Sequence, residues 1–122
     1  MKKRILLVED EESLRLLYEE ELVAEGYEVL SARNGREALR QLEETTPDLI
    51  ILDIVMPVMD GMETLGQIMG RERNVPIIIH TSYPGYQEDF TSWAADAYVA
   101  KSSDLQELKD TVRRLLLKGR KG

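Results

Sequence analysis

The sequence predicts an α/β domain with a doubly wound parallel sheet, and three observations carry that prediction. Five short apolar runs rich in Ile, Leu and Val alternate along the chain with segments whose apolar residues recur at helical spacing. The best of those runs, Leu49 to Leu52 above all, are continuously apolar rather than alternating with polar residues, as expected of strands buried on both faces. Four of the five runs end in a residue with chemical use: Glu9 and Asp10, Asp53, Thr81 with Ser82, and Lys101. Strands alternating with helices pair in parallel through right-handed crossovers and place helices on both faces, a (βα)5 arrangement. In such sheets ligands sit beyond the carboxyl ends of the strands, where the strand order reverses. The second strand ends in nothing comparable, which suits the order 2-1-3-4-5, with strands one and three central. At 122 residues and 43% hydrophobic content, residues 1–122 are read as one domain with room for one core.

The elements follow in order. Arg4 to Val8 is apolar and stopped by acids, hence a buried strand. A helix opens at Glu11 and closes at Glu25: Leu14, Leu17, Tyr18 and Leu22 form its stripe and Gly26 its stop. A strand from Tyr27 to Ala32 leads into Asn34-Gly35, which reads as a turn. Ala38, Leu39 and Leu42 mark a second helix that must end before Pro47. After the central strand, Pro57 and Asp60-Gly61 make a loop, and Met62, Leu65, Ile68 and Met69 a helix weakened by Gly66 and Gly70. Val75 to Thr81 is a β-branched strand. A short helix begins at Glu88 and ends at Ala95, with Phe90 and Trp93 as packing residues. Ala97 to Ala100 is the weakest strand. Leu105, Leu108, Val112, Leu115 and Leu116 stripe a last helix, with Ser103 and Gln106 spaced as a capping box.

Composition narrows the function. No cysteine means no disulfide, thiolate zinc site or thiol nucleophile, and is compatible with a reducing cytoplasm. The apolar run after Met1-Lys2-Lys3-Arg4 is too short for an export signal or a membrane span, so the expectation is a cytoplasmic protein with no membrane contact. A net charge of −7 argues against nucleic acid, because the only basic cluster is Arg113, Arg114, Lys118, Arg120 and Lys121 in the tail.

Asp53 stands where a fully buried strand runs out. A charged carboxylate there costs several kcal/mol unless something compensates it. Glu9 and Asp10 converge on the same end of the sheet, and like charges at one point invite a cation. With no Cys and one His, oxygen ligands dominate, which suits Mg²⁺, with Mn²⁺ as the alternative. Such a site favours phosphate chemistry, Lys101 supplying a point charge and Thr81 a directional hydroxyl. His80, inside its strand, reads as a packed imidazole.

The segments Val8-Glu9-Asp10-Glu11-Glu12, Leu52-Asp53 through Asp60-Gly61, Ile79-His80-Thr81-Ser82-Tyr83 and Ala97-Tyr98-Val99-Ala100-Lys101 resemble, in order and separation, the receiver domain of two-component response regulators, in its single-domain, chemotaxis-regulator-like form. The resemblance covers essentially the whole chain and implies a flavodoxin-like fold. It implies that Asp53 accepts a phosphoryl group from a phosphohistidine on a sensor histidine kinase or phosphotransfer protein. Asp10, Asp53 and the Val55 backbone carbonyl would bind Mg²⁺, with Glu9 acting through a coordinated water. Lys101 would pair with the phosphoryl oxygens, Thr81 would be the switch hydroxyl, and Tyr98 the aromatic that turns inward. The output face would comprise the segment from Glu88 to Ala95, the last strand and the last helix, read by a separate partner or a phosphorylation-dependent dimer. One departure stands out: the family has a cis proline after this lysine, and here the residue is Ser102. A cis bond before serine costs about 2.5 to 4 kcal/mol, so Lys101-Ser102 is either trans with a rerouted loop or strained.

Rival readings fit less well. A haloacid-dehalogenase type of phosphatase needs a second Asp two residues after the nucleophile, where this chain has Val55. A flavodoxin-like FMN site needs a phosphate loop after the first strand, where four acids stand. The chain is therefore read as a regulator that assists only its own phosphorylation and dephosphorylation. Val55 and Tyr83 should make that dephosphorylation slow: neither is a base near neutral pH, and both would crowd the in-line water.

Overall fold

The computed structural model describes residues 2–53, 66–68, 70, 74–82 and 95–118. Five strands form one parallel sheet in the order β2-β1-β3-β4-β5: β1 (Arg4–Val8), β2 (Glu28–Ala32), β3 (Leu49–Leu52), β4 (Ile77–Thr81) and β5 (Ala97–Ala100). The helices are α1 (Glu12–Ala24), α2 (Gly35–Glu44) and α3 (Gln106–Lys118), and residues 66–68 and 70 are helical. The expected order and doubly wound architecture are both present. The remaining residues of the expected third helix, and nearly all of the one from Glu88 to Ala95, lie outside the described residues.

Side chains alternate across the strands and build a core on each side of the sheet. Ile5, Leu7, Leu49, Ile51, Ile78 and Val99 meet Tyr18 and Leu22 of α1 and Leu108, Val112 and Leu115 of α3. Leu6, Val8, Ile50, Leu52, Ile77 and Ile79 meet Ala38, Leu39 and Leu42 of α2, together with Ile68. Every residue of β3 is buried, each large side chain contributing roughly 1.5 to 3 kcal/mol. The strand ends at the next residue, Asp53.

Three local expectations need correction. Asn34-Gly35 is not a free turn: Asn34 caps α2, its Oδ1 accepting the Glu37 N–H at 2.9 Å, while Glu37 accepts the Arg33 N–H at 2.8 Å. Ser103 and Gln106 form no capping box, because the Gln106 N–H goes to Asp104 Oδ1 at 3.0 Å and the Gln106 amide donates to Asp110. Leu17 is 43% exposed, since the buried face of α1 is carried by Tyr18 and Leu22. Gly26 stops α1 as expected, at φ +100: its N–H reaches the Val23 carbonyl at 2.9 Å and that of Tyr27 reaches Leu22 at 3.2 Å. That is a Schellman closure, which needs a residue free to take positive φ.

Candidate functional site

The sheet hydrogen bonds run one residue past the strands and so fix where the polar residues stand. The Glu9 N–H bonds the Ala32 carbonyl at 3.0 Å, that of Asp53 bonds Val8 at 3.1 Å, and that of Lys101 bonds Thr81 at 2.9 Å. Glu9 and Asp53 are held in the core's edge, 2% and 5% exposed, while Asp10 next to them is exposed. Lys101 bridges the buried pair: its Nζ lies 2.7 Å from Glu9 Oε1 and 2.8 Å from Asp53 Oδ2. The other Glu9 oxygen accepts the Glu11 N–H at 3.1 Å, and Arg15 of α1 donates back to the Glu9 carbonyl at 3.0 Å.

Each group carries the electrostatic mark of its place. Burial pushes the Glu9 carboxyl above the usual carboxylate range, and the hydrogen bond and charge of Lys101 offset this only in part. For Lys101, burial would lower the ammonium, but hydrogen bonds to Asp53 and Glu9 outweigh it and push it up to about 12. The ammonium therefore stays charged at any ordinary pH.

Glu9, Asp10 and Asp53 each present one oxygen, and the three atoms lie within 4.8 Å of one another. Three carboxylates against one ammonium leave two negative charges in excess, and the donor set is all oxygen. That chemistry fits a small hard divalent cation better than a soft one.

The remaining expected residues divide. Thr81 is fully buried at the end of β4, next to the β3 end that carries Asp53. Tyr98 of β5 is half-buried and packs with the α2-side core, where burial raises its phenol. His80 is a core residue as expected, 2% exposed and edge-on to Tyr18. Val55 and Tyr83 lie outside the described residues. No peptide bond among the described residues is cis, so Lys101-Ser102 is trans, and Lys101 reaches Asp53 nonetheless. The direct Glu9–Lys101 pair, the Arg15 tie and the Tyr18–His80 contact had no signal in the linear pattern. Each joins residues that only the fold brings together.

Comparison with known proteins agrees with this geometry. The chain is 34% identical over 118 residues to the sporulation initiation phosphotransferase F of Bacillus subtilis, covering 95% of each. Other curated relatives, described as transcriptional regulators, are longer, and the chain spans about half their length. Among solved structures, the response regulator protein TrrA of Thermotoga maritima in complex with Mg²⁺-BeF superposes with a TM-score of 0.88, at 48% identity over 93% of this chain and 98% of that one. The structure of histidine kinase ThkA in complex with TrrA matches with a TM-score of 0.86, at the same identity and coverage. The model of the response regulator receiver domain matches residues 5–113, a span that includes the three carboxylates, Thr81 and Lys101. With that match laid over the 2-1-3-4-5 sheet and its acidic strand ends, the chain belongs to the receiver domain family of two-component response regulators.

Proposed function

We propose that Asp53 is the phosphoacceptor: one of its oxygens attacks the phosphorus of a phosphohistidine on a partner histidine kinase or phosphotransfer protein. The O–P bond forms as the N–P bond breaks, and the imidazole leaves with the electron pair and later takes up a proton. The observation that carries this reading is the Lys101 ammonium, shared between Asp53 and Glu9 at 2.8 and 2.7 Å beside an all-oxygen carboxylate cluster.

Phosphoryl transfer asks for positioning and charge stabilisation more than for covalent work by the protein. A Mg²⁺ held by Asp10, Asp53 and the Val55 carbonyl, with Glu9 in its outer sphere, would supply positive charge against the phosphoryl oxygens. Lys101 supplies the rest. Once Asp53 becomes an acyl phosphate the negative charge lies on the phosphoryl oxygens, and Lys101 turns to one of them. Thr81, at the neighbouring strand end, is the hydroxyl drawn toward the phosphoryl group, and Tyr98 the aromatic that follows it inward. Val55 and Tyr83 are assigned to crowding the water path, so that the phosphoryl group persists. The Mg²⁺-BeF bound to TrrA and its complex with a histidine kinase support the cation and the donor class for this chain.

On this reading residues 1–122 form one receiver domain acting in the cytoplasm, which regulates an output partner through the face made by the segment from Glu88 to Ala95, β5 and α3, and catalyses nothing beyond its own phosphorylation and dephosphorylation. Among the described residues no helix is long and apolar enough to cross a membrane. Incubation with acetyl phosphate and Mg²⁺, followed by intact mass, tests the assignment. A single labile phosphoryl adduct is expected, lost in Asp53→Asn; an adduct that survives that substitution places the acceptor elsewhere.

A further inference from the structure

We infer that Tyr18 and His80 form the seat that aims Lys101, and that both are positioning residues for phosphoryl transfer; this rests on the reading of Asp53 as the acceptor. Lys101 leaves β5 at the edge of the sheet, yet its ammonium meets Asp53 at the end of β3 and Glu9 at the end of β1. Strand β4 lies between, so the side chain reaches over the end of that strand toward the two carboxylates. The last β4 residue facing α1 is His80, whose ring stands edge-on to Tyr18 with centroids 5.0 Å apart and planes at 63°. Both rings are 2% exposed. Tyr18, Ser82 and Lys101 line one groove of about 560 Å³ between α1 and the strand ends. The charge of Lys101 is felt at both rings. After burial it is the second cause that holds the imidazole low, and it is the largest charge effect on the Tyr18 phenol.

The chain after Lys101 does not fix the ammonium. Ser102, Ser103 and Asp104 are exposed, the Lys101-Ser102 bond is trans, and that turn closes on itself through Asp104 N–H to Ser102 Oγ at 3.1 Å. The Lys101 N–H bond to Thr81 holds the backbone and leaves four side-chain torsions, worth up to about 2 kcal/mol of entropy. Glu9 and Asp53 attract the ammonium, and phosphorylation would replace the Asp53 charge with the larger charge of the phosphoryl oxygens, further out. A wall on the α1 side would limit the directions in which the Lys101 side chain can follow that charge. In this proposal the imidazole is the floor and the phenol the wall that keep the side chain over β4, between the two carboxylates.

The test is the rate of Asp53 phosphorylation by acetyl phosphate at saturating Mg²⁺, read by intact mass against time, because a small donor excludes any effect on partner docking. In Tyr18→Leu the maximal rate should fall on the order of tenfold, with the half-saturating donor concentration little changed. Tyr18→Phe, which keeps the ring, should restore the wild-type rate. In a Lys101→Met background Tyr18→Leu should add no further loss, because the seat acts only through that side chain. His80→Val should behave like Tyr18→Leu and decides the matter if that variant does not fold by circular dichroism. A wild-type maximal rate in the folded variant, or the same fold-loss on top of Lys101→Met, overturns the proposal. If the wild-type protein takes up no phosphoryl group, or Asp53→Asn takes up as much, the acceptor assignment has failed instead.

Discussion

Asp10 and His80 show how differently two polar residues can sit a few ångströms from one site. Asp10 is exposed and adds a third negative charge within 4.8 Å of the Glu9 and Asp53 oxygens. Removing it relieves repulsion without opening a cavity, so Asp10→Asn should keep or gain stability in chelator while losing phosphorylation. Denaturant melts with and without Mg²⁺ check this, and a large loss of stability in chelator would make Asp10 structural. His80 is the reverse case: burial, then the charge of Lys101, lowers its imidazole to about 4 from 6.5. The folded protein thus holds a neutral ring, while the unfolded chain binds a proton more readily as pH falls through 6.5. Stability from this group is complete above that value and is lost between it and about 4. Between about pH 7.5 and about pH 5.5 the wild type should lose about 1 kcal/mol in urea melts that His80→Phe does not lose. Equal acid slopes in the two proteins would show that His80 is not the group responsible.

At the scale of elements, the helix ends show where the energy of the local turns resides. In α2 the Asn34 Oδ1 satisfies the Glu37 N–H, and Glu37 answers by accepting from Arg33, so two otherwise orphaned donors are paired. Asn34→Ala should therefore cost about 1 kcal/mol, measured as a shift in the urea midpoint at constant slope, and Asn34→Gly only a few tenths. Similar losses in the two variants would mean that the side-chain bond contributes little. The pairs Lys109–Glu21, partly buried, and Arg113–Glu25, more exposed, lay α3 alongside α1, and pairs of this kind are worth about 1 kcal/mol or less. Burial of Leu22, Leu108, Val112 and Leu115 holds those helices to the sheet.

For the whole molecule, the sheet joins the acidic strand ends to the β5 side. The carboxylates and Lys101 cluster at one end of it, while Tyr98 packs into the α2-side core two strands away from β3, and Ile79 of the intervening β4 pairs with Tyr98 in register. A phosphoryl group on Asp53 that draws in Thr81 would change what Tyr98 packs against, shifting a population rather than unfolding anything. Thr81→Ala should accept the phosphoryl group at Asp53 yet fail to move the β5 and α3 amides on phosphorylation. Amide spectra that shift identically in the variant and the wild type would refute that coupling.

What the sequence determined by itself is what one-dimensional pattern can hold: five apolar runs, the helical stripes of α2 and α3, the stop at Gly26, and which residue types stand at strand ends. Those are local properties, set by burial on both faces and by backbone preferences a few residues wide. The Asp53–Lys101 relation was legible as well, because the strand order puts both residues at the same end of the sheet. Tertiary structure decided the rest. It turned Asn34 from a turn residue into a cap and left Leu17 in solvent, because the face of α1 that meets the sheet depends on where α1 docks. It paired Glu9 with Lys101 directly, and it set His80 against Tyr18. Those contacts join strands and helices far apart in the chain, and no spacing along the chain encodes a distance that exists only after the sheet has closed in the order 2-1-3-4-5.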